Sequence, residues 1–132
     1  MEKKNLDWKH IGFAYHTTDY RYVADYKDGK WQEGYMSDSP NIVLNECAGI
    51  MQYCQEVFEG LKAYETADGR IVTFRSDLNA DRMYHSAERM EMPPFPKERF
   101  IEAVEKVVKA NEAWVPPYGI GATLYYRTYM YA

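Results

Sequence analysis

The sequence predicts an α+β domain in which helices cover one face of a mainly antiparallel sheet. Three observations support this fold class. Two Asp-Gly pairs, Asp28-Gly29 and Asp68-Gly69, lie between segments rich in aromatic and β-branched residues, a pattern typical of β-hairpins. Residues 76–90 and 97–113 carry apolar side chains at steps of three and four, as amphipathic helices do. Residues 123–131 are aromatic or β-branched at almost every second position and predict a final strand.

The first part of the chain predicts short strands and little helix. We expect the hairpin strands of this part to join one sheet with the later hairpin and the final strand. The predicted order is an irregular stretch to residue 18, strands at 20–26, 31–36 and 41–45, and one or two helical turns within 48–57.

The middle of the chain predicts a hairpin followed by the two helices. We expect Phe58-Glu59-Gly60 to form a turn, 61–66 to form a strand, and 71–74 to return beside it. Ser76 is the expected N-cap of the first helix, because its hydroxyl can accept a hydrogen bond from a first-turn amide.

Composition and charge argue against several classes of protein. The net charge is −4 with no basic cluster, so nucleic acid is not expected as a partner. No apolar run approaches ~20 residues, so no membrane span is expected, and the N-terminus does not resemble a secretory signal. Cys47 and Cys54 lack two further metal ligands, and the low cysteine content predicts a cytoplasmic protein with reduced thiols. The 13 tyrosines indicate pockets or interfaces as well as exposed sheet faces.

Three arginines on or near the first predicted helix are spaced by seven residues. Arg82 and Arg89 would therefore share one helix face two turns apart, with Arg75 preceding the helix. Two guanidinium groups near a strand end can hold a dianionic phosphate, because their planar forks match its oxygens. A solvated surface arginine is the commoner interpretation of any single helical arginine. Spacing alone leaves both interpretations open.

An ordered series of motifs covers about residues 8–132. The series is Phe58-Glu59-Gly60-Leu61-Lys62-Ala63-Tyr64, Phe74-Arg75, Leu78-Asn79 with Arg82, Ser86-Ala87-Glu88-Arg89, Met92-Pro93-Pro94, Val108-Lys109-Ala110-Asn111, Trp114-Val115-Pro116-Pro117-Tyr118-Gly119 and Gly121-Ala122-Thr123-Leu124-Tyr125-Tyr126-Arg127. It resembles the N-terminal domain of branched-chain aminotransferases. These are pyridoxal 5′-phosphate (PLP) enzymes of fold type IV, the D-amino-acid-aminotransferase-like class.

The resemblance implies roles for individual residues. Arg82 would bind the PLP phosphate. Tyr125 would contact the α-carboxylate of the substrate, and Arg127 would hold the side-chain carboxylate of glutamate. Phe58 would form an aromatic wall of the side-chain pocket, and Gly60 would allow the backbone to approach the substrate closely.

The resemblance also implies a longer protein and a second subunit. Tyr53 would reach into the pocket of the neighbouring subunit of a homodimer. The Schiff-base lysine and the acidic group beside the pyridine nitrogen would lie in a larger C-terminal domain, beyond residue 132. Lys62 does not match that lysine. We therefore expect residues 1–132 to be a small N-terminal domain that has no catalytic lysine of its own and is inactive alone. We also expect that the final strand ends at Ala132 because the chain is truncated there.

The resemblance thus implies part of an enzyme that moves an amino group between leucine, isoleucine or valine and 2-oxoglutarate. D-amino-acid aminotransferase and aminodeoxychorismate lyase are alternative reactions on the same fold; the Trp114–Pro117 loop and the pair of Tyr125 and Arg127 favour the branched-chain enzyme. A non-catalytic dimerisation or ligand-binding domain is the alternative from another class. Ser76 and Thr128 stand where most members of the family have proline, which leaves the local strand geometry open.

Overall fold

A computed structural model describes residues 2–132 as one layer of helices on a small antiparallel sheet, with further short strands beside it. The predicted α+β class is confirmed. The elements are β1 (Arg21–Val23), β2 (Tyr26–Lys27), β3 (Lys30–Trp31), β4 (Tyr35–Ser37), α1 (Gly49–Tyr53), β5 (Glu56–Glu65), β6 (Ile71–Thr73), α2 (Ser76–Arg89), α3 (Lys97–Ala110) and β7 (Leu124–Tyr131). No helix within residues 2–132 combines the length and the apolar character needed to cross a bilayer.

Strand β5 is the centre of the main sheet, whose strand order is β6-β5-β7 with both pairings antiparallel. The predicted turn between β5 and β6 is confirmed: Gly69 has a φ of +78°, and its N–H donates to the carbonyl of Thr66. The turn predicted at Phe58-Glu59-Gly60 is wrong. Side chains alternate between buried and exposed through this segment without interruption, because every second residue from Val57 onward faces the helices.

Helices α2 and α3 cover the buried face of this sheet with their apolar stripes. The core they form comprises Val57, Leu61 and Met130 from the sheet, Ala80, Met83 and Ala87 from α2, and Met92, Phe100 and Val104. Both predicted stripes are confirmed. The predicted N-cap is wrong, because Arg75 occupies that position with a φ of +48° and Ser76 is the first helical residue. Helix α3 ends at Ala110, earlier than predicted, and a 3-10 turn at Glu112–Trp114 follows it.

The N-terminal strands form two separate two-stranded sheets, β1 with β4 and β2 with β3, so the prediction of a single sheet is wrong. The Asp28-Gly29 turn is confirmed, with positive φ at both residues. Residues 41–45 form no strand. We call residues 19–37, which contain β1 to β4, the N-terminal layer. Side chains attach this layer to the helices and to their connection, and none of its strands pairs with β7. Trp31 donates from Nε1 to the carbonyl of Pro94 at 2.9 Å, and its ring meets Phe95 edge to face.

Asn111, only 2% exposed, ties this N-terminal layer to the end of α3. Its Oδ1 accepts hydrogen bonds from the N–H groups of Asp19 and Tyr20, both at 3.0 Å. Its Nδ2 donates to the carbonyls of Tyr20 at 2.8 Å and Val107 at 2.9 Å. The buried amide therefore has two donors and two acceptors around it, as a buried polar group requires.

We expect Asn111→Ala to lower the free energy of unfolding by about 2–4 kcal/mol, because backbone groups of residues 19 and 20 lose their partners in a protected site. Urea denaturation of the chain measures this change. Glu105→Ala, on the exposed side of α3, is the matched control and should stay within about 0.5 kcal/mol of the parent chain. Equal midpoints for the two variants would show that the amide contributes nothing.

Candidate functional site

The face of the main sheet opposite the helices brings four of the predicted substrate residues together. Gly60 of β5 lies directly opposite Arg127 of β7. Phe58 and Tyr125 lie two residues away on the same face of their strands, since side chains alternate along a strand. We call these four residues, Phe58, Gly60, Tyr125 and Arg127, the open-face cluster.

Arg127 lies between the two aromatic rings of the open-face cluster. Its guanidinium carbon is 4.8 Å from the centroid of the Phe58 ring and 5.8 Å from that of the Tyr125 ring. Its Nε donates to the hydroxyl of Tyr125 at 3.3 Å, a long hydrogen bond. Phe58 is 57% exposed, so the cation and the apolar ring are both accessible to a ligand. Such an arrangement can bind a carboxylate and an alkyl group in the same place.

Gly60 gives Tyr125 the space that it occupies. A Cβ atom at Gly60 would lie 2.7 Å from the Tyr125 hydroxyl and 3.0 Å from its Cε2. On another side the Tyr125 ring meets Phe13 edge to face, with 5.4 Å between centroids. No sequence pattern predicts the contact between Phe13 and this tyrosine. The contact of Gly60 is with a side chain of its own domain, and its role toward a substrate stays a prediction.

A crevice with a volume of about 1070 Å³ lies between the N-terminal part of the chain, β7 and apolar residues of α2 and α3. Phe13, Tyr125 and Arg127 line part of it, whereas Phe58 and Gly60 lie outside its lining. Its volume lies at the upper end of the range for small-molecule sites.

Arg82 lies on the helix side of β5 and is bound to Glu59. Its Nε and Nη2 donate to the two oxygens of that carboxylate at 2.9 and 2.7 Å, and Asn79 donates to Oε2 at 2.7 Å. The Glu59 side chain is 7% exposed and that of Arg82 is 68% exposed. Burial raises the pKa of the Glu59 carboxyl, but the hydrogen bonds from Arg82 and Asn79 outweigh it and leave that pKa below its usual value. Glu59 also raises the pKa of Arg82, so both groups stay charged.

Arg82 and Arg89 line one shallow crevice of about 440 Å³, together with His85 and Ser86. The predicted shared face of the two arginines is thus confirmed. Arg75 is not part of it, because its guanidinium binds Asp77 through Nε and Nη2. No hydrogen bond, ion pair or ring contact within residues 2–132 joins Arg82 to the open-face cluster.

Tyr53 is the last residue of α1 and is 83% exposed. In the part of the chain that the structure describes, no hydrogen bond or ring contact connects its side chain to the open-face cluster. Its role at a subunit boundary stays a prediction.

Glu59 and Asn79 are the residues of this region that sequence reasoning did not assign to a site. The signal was present in the alternation of β5, where Glu59 stands between the apolar Val57 and Leu61 on the buried face. A charge in an otherwise apolar register requires a partner, although it does not identify that partner.

The fold is that of a small α+β domain, and it carries two cationic surfaces: the open-face cluster, and the crevice lined by Arg82 and Arg89, which we call the diarginine crevice. Comparison with curated proteins relates the chain to the N-terminal part of branched-chain-amino-acid aminotransferases. The chain is 48% identical over 127 residues to that of Haemophilus influenzae and 42% identical over 127 residues to that of Helicobacter pylori. It is 42% identical over 128 residues to a methionine aminotransferase of Arabidopsis thaliana.

These alignments cover 96% of the chain but only 36–37% of each relative, so the chain spans little more than a third of their length. No family model matches the chain. The resemblance identified from the motifs is confirmed by the curated relatives.

Proposed function

We propose that residues 1–132 are the small N-terminal domain of a PLP-dependent branched-chain aminotransferase. The complete protein would move the amino group between leucine, isoleucine or valine and 2-oxoglutarate. The observation that carries this proposal is the placement of Arg127 against Phe58 with a hydrogen bond to Tyr125. One pocket must accept an apolar side chain in one half-reaction and a carboxylate in the other, and this arrangement offers both. The aminotransferase relatives support the same reaction.

Each residue of the open-face cluster has a separate role in substrate binding. Arg127 binds the distal carboxylate of glutamate or 2-oxoglutarate through charge-assisted hydrogen bonds. Phe58 packs against the branched side chain. The Tyr125 hydroxyl binds the α-carboxylate that all of these substrates share, and Gly60 leaves the space in which Tyr125 adopts that position.

The diarginine crevice fits the phosphate of PLP. Arg82 uses two of its five N–H groups on Glu59, so three remain for phosphate oxygens, and Arg89 adds a second cation. When bound, PLP supplies the electron-withdrawing ring on which amino-group transfer depends. We assign the lysine that holds PLP, and the contacts to its ring, to a second domain of a longer cytoplasmic homodimer, in which Tyr53 would face the neighbouring subunit.

Methionine is a second candidate substrate. The Arabidopsis relative is named for that amino acid. An unbranched thioether side chain would also pack against the exposed ring of Phe58, because thioether–aromatic contacts are favourable.

We expect the full-length protein to convert leucine with 2-oxoglutarate, and residues 1–132 alone to give no turnover because they contribute no PLP-binding lysine. Coupled detection of glutamate measures both. Comparison with methionine and with D-alanine as amino donors sets the substrate class. Faster transfer from D-alanine than from leucine, or turnover by residues 1–132 alone, would refute the proposal.

A further inference from the structure

Glu59 lies in β5 between two members of the open-face cluster, yet its side chain points to the other face of the sheet. Phe58 and Gly60 precede and follow it, while its carboxylate is buried and accepts three hydrogen bonds from α2. These bonds come from Nε and Nη2 of Arg82 and from Nδ2 of Asn79. A buried anion thus binds the inner edge of a guanidinium whose outer edge is exposed.

We propose that Glu59 is a positioning residue that orients Arg82 toward the PLP phosphate, an inference that rests on the proposed function. A surface arginine has many rotamers, and fixing one of them for a ligand costs conformational entropy. The two-point contact with Glu59 fixes the plane of the guanidinium in the absence of ligand. Nε and one N–H of Nη2 are engaged, so three N–H groups remain. One on Nη1 and one on Nη2 point together toward the outer end of the guanidinium, where they can donate to phosphate oxygens.

The charge of Glu59 acts against this effect, since a carboxylate repels a phosphate dianion, and the exposed carboxylate of Glu56 also lines the crevice. Three features limit the repulsion. Arg82 lies between Glu59 and the solvent, and Asn79 stabilises the charge on Oε2 by donating a hydrogen bond to it. Arg89 lines the same crevice and makes no ion pair with any residue from 2 to 132, so its cation is available to the ligand.

The arrangement also connects the two surfaces of the domain. Successive side chains of a strand point to opposite faces, so Glu59 holds the phosphate-binding arginine on one face while Phe58 and Gly60 contribute to the other. Because both surfaces include residues of β5, this strand relates the position of the phosphate group to that of the open-face cluster.

The test compares Glu59→Gln with Asp81→Asn in the full-length apoprotein. Glutamine keeps the size of Glu59 but replaces one acceptor oxygen with a donor. Asp81 is the matched control, because it precedes Arg82 on α2 and its carboxylate binds Lys97 at 2.6 Å instead. Calorimetry measures the dissociation constants of PLP and of pyridoxal, which lacks the phosphate.

We expect Glu59→Gln to weaken PLP binding about ten- to a hundred-fold, the range found when partners that orient metal ligands are removed. Pyridoxal binding should stay unchanged, and Asp81→Asn should change neither constant. If Glu59→Gln lowers the stability of the protein but leaves the ratio of the PLP and pyridoxal dissociation constants at the value of the parent, Glu59 has only a structural role. Tighter PLP binding would show that it competes with the phosphate. Either result overturns the inference.

Two further variants complete the test. Asn79→Ala removes one hydrogen bond to Glu59 and should weaken PLP binding by a smaller factor, so it replaces Glu59→Gln if that variant does not fold; unchanged binding would then contradict the inference. Arg82→Ala tests the proposed function itself. If Arg82→Ala weakens PLP binding and Glu59→Gln does not, only the positioning role fails.

Discussion

Arg82→Ala is expected to weaken PLP binding by the full-length protein about ten- to a hundred-fold, because the phosphate loses its charge-assisted fork. Every amino-acid substrate should be affected to the same degree, since none of them contacts Arg82 under the proposed function. Excess PLP should partly restore the activity. Titration of the apoprotein with PLP, and activity as a function of PLP concentration, measure these effects.

Arg75→Ala is the matched control for Arg82→Ala. Arg75 immediately precedes α2 and also forms a two-point ion pair, with Asp77, but it lies outside the diarginine crevice. Arg82→Lys keeps the charge and removes the fork, so its PLP affinity should fall between those of the parent and Arg82→Ala. Equal PLP affinities for Arg75→Ala and Arg82→Ala would contradict the assignment of the phosphate to this crevice.

Arg127→Ala is expected to separate the two half-reactions. Glutamate and 2-oxoglutarate should lose about ten- to a hundred-fold in kcat/KM, because a charge-assisted partner of the distal carboxylate is removed. The leucine half-reaction should change little, since an apolar side chain makes no use of that charge. Single-turnover kinetics of each half-reaction in the full-length protein measure the difference.

Two variants on the same sheet face control for Arg127→Ala. Lys62→Ala removes an exposed cation from β5 opposite Tyr125 and should leave both half-reactions unchanged. Tyr125→Phe should slow both, because both substrates present an α-carboxylate. If Arg127→Ala slows leucine and glutamate equally, the open-face cluster does not distinguish the two substrates, and another fold-type IV reaction becomes the better proposal.

Local patterns predicted both long helices, the turn between β5 and β6 and the final strand, and non-local contacts explain most of the errors. Apolar residues at helical spacing identified α2 and α3 because one face of each must be buried. Gly60 suggested a turn, whereas its lack of a side chain serves Tyr125, which comes from a strand near the end of the chain. Alternation likewise identified strands near the N-terminus, but not that Trp31 and Asn111 attach them to the helices.

The candidate site could be predicted only in part, because motifs identify residues but not the non-local contacts between them. The motifs named the members of the open-face cluster, and the strand register brings those members together. The sequence could not indicate that Glu59 and Arg82 meet, because that contact depends on how α2 crosses β5. The role of Tyr53 depends on a second subunit and stays a prediction.

The pairing of β5 with β7 has a consequence for synthesis of the protein on the ribosome. Eight residues of β5 pair with β7, whereas three pair with the nearby β6, so most of the central strand waits for a partner that is translated after α2 and α3. At about 5–20 residues per second, this delay lasts on the order of several seconds. During that interval the nascent chain presents an unpaired strand edge with an apolar face that includes Val57 and Leu61. Binding of the nascent chain by a chaperone should therefore begin after β5 emerges from the ribosome and end when β7 has emerged and pairs with β5.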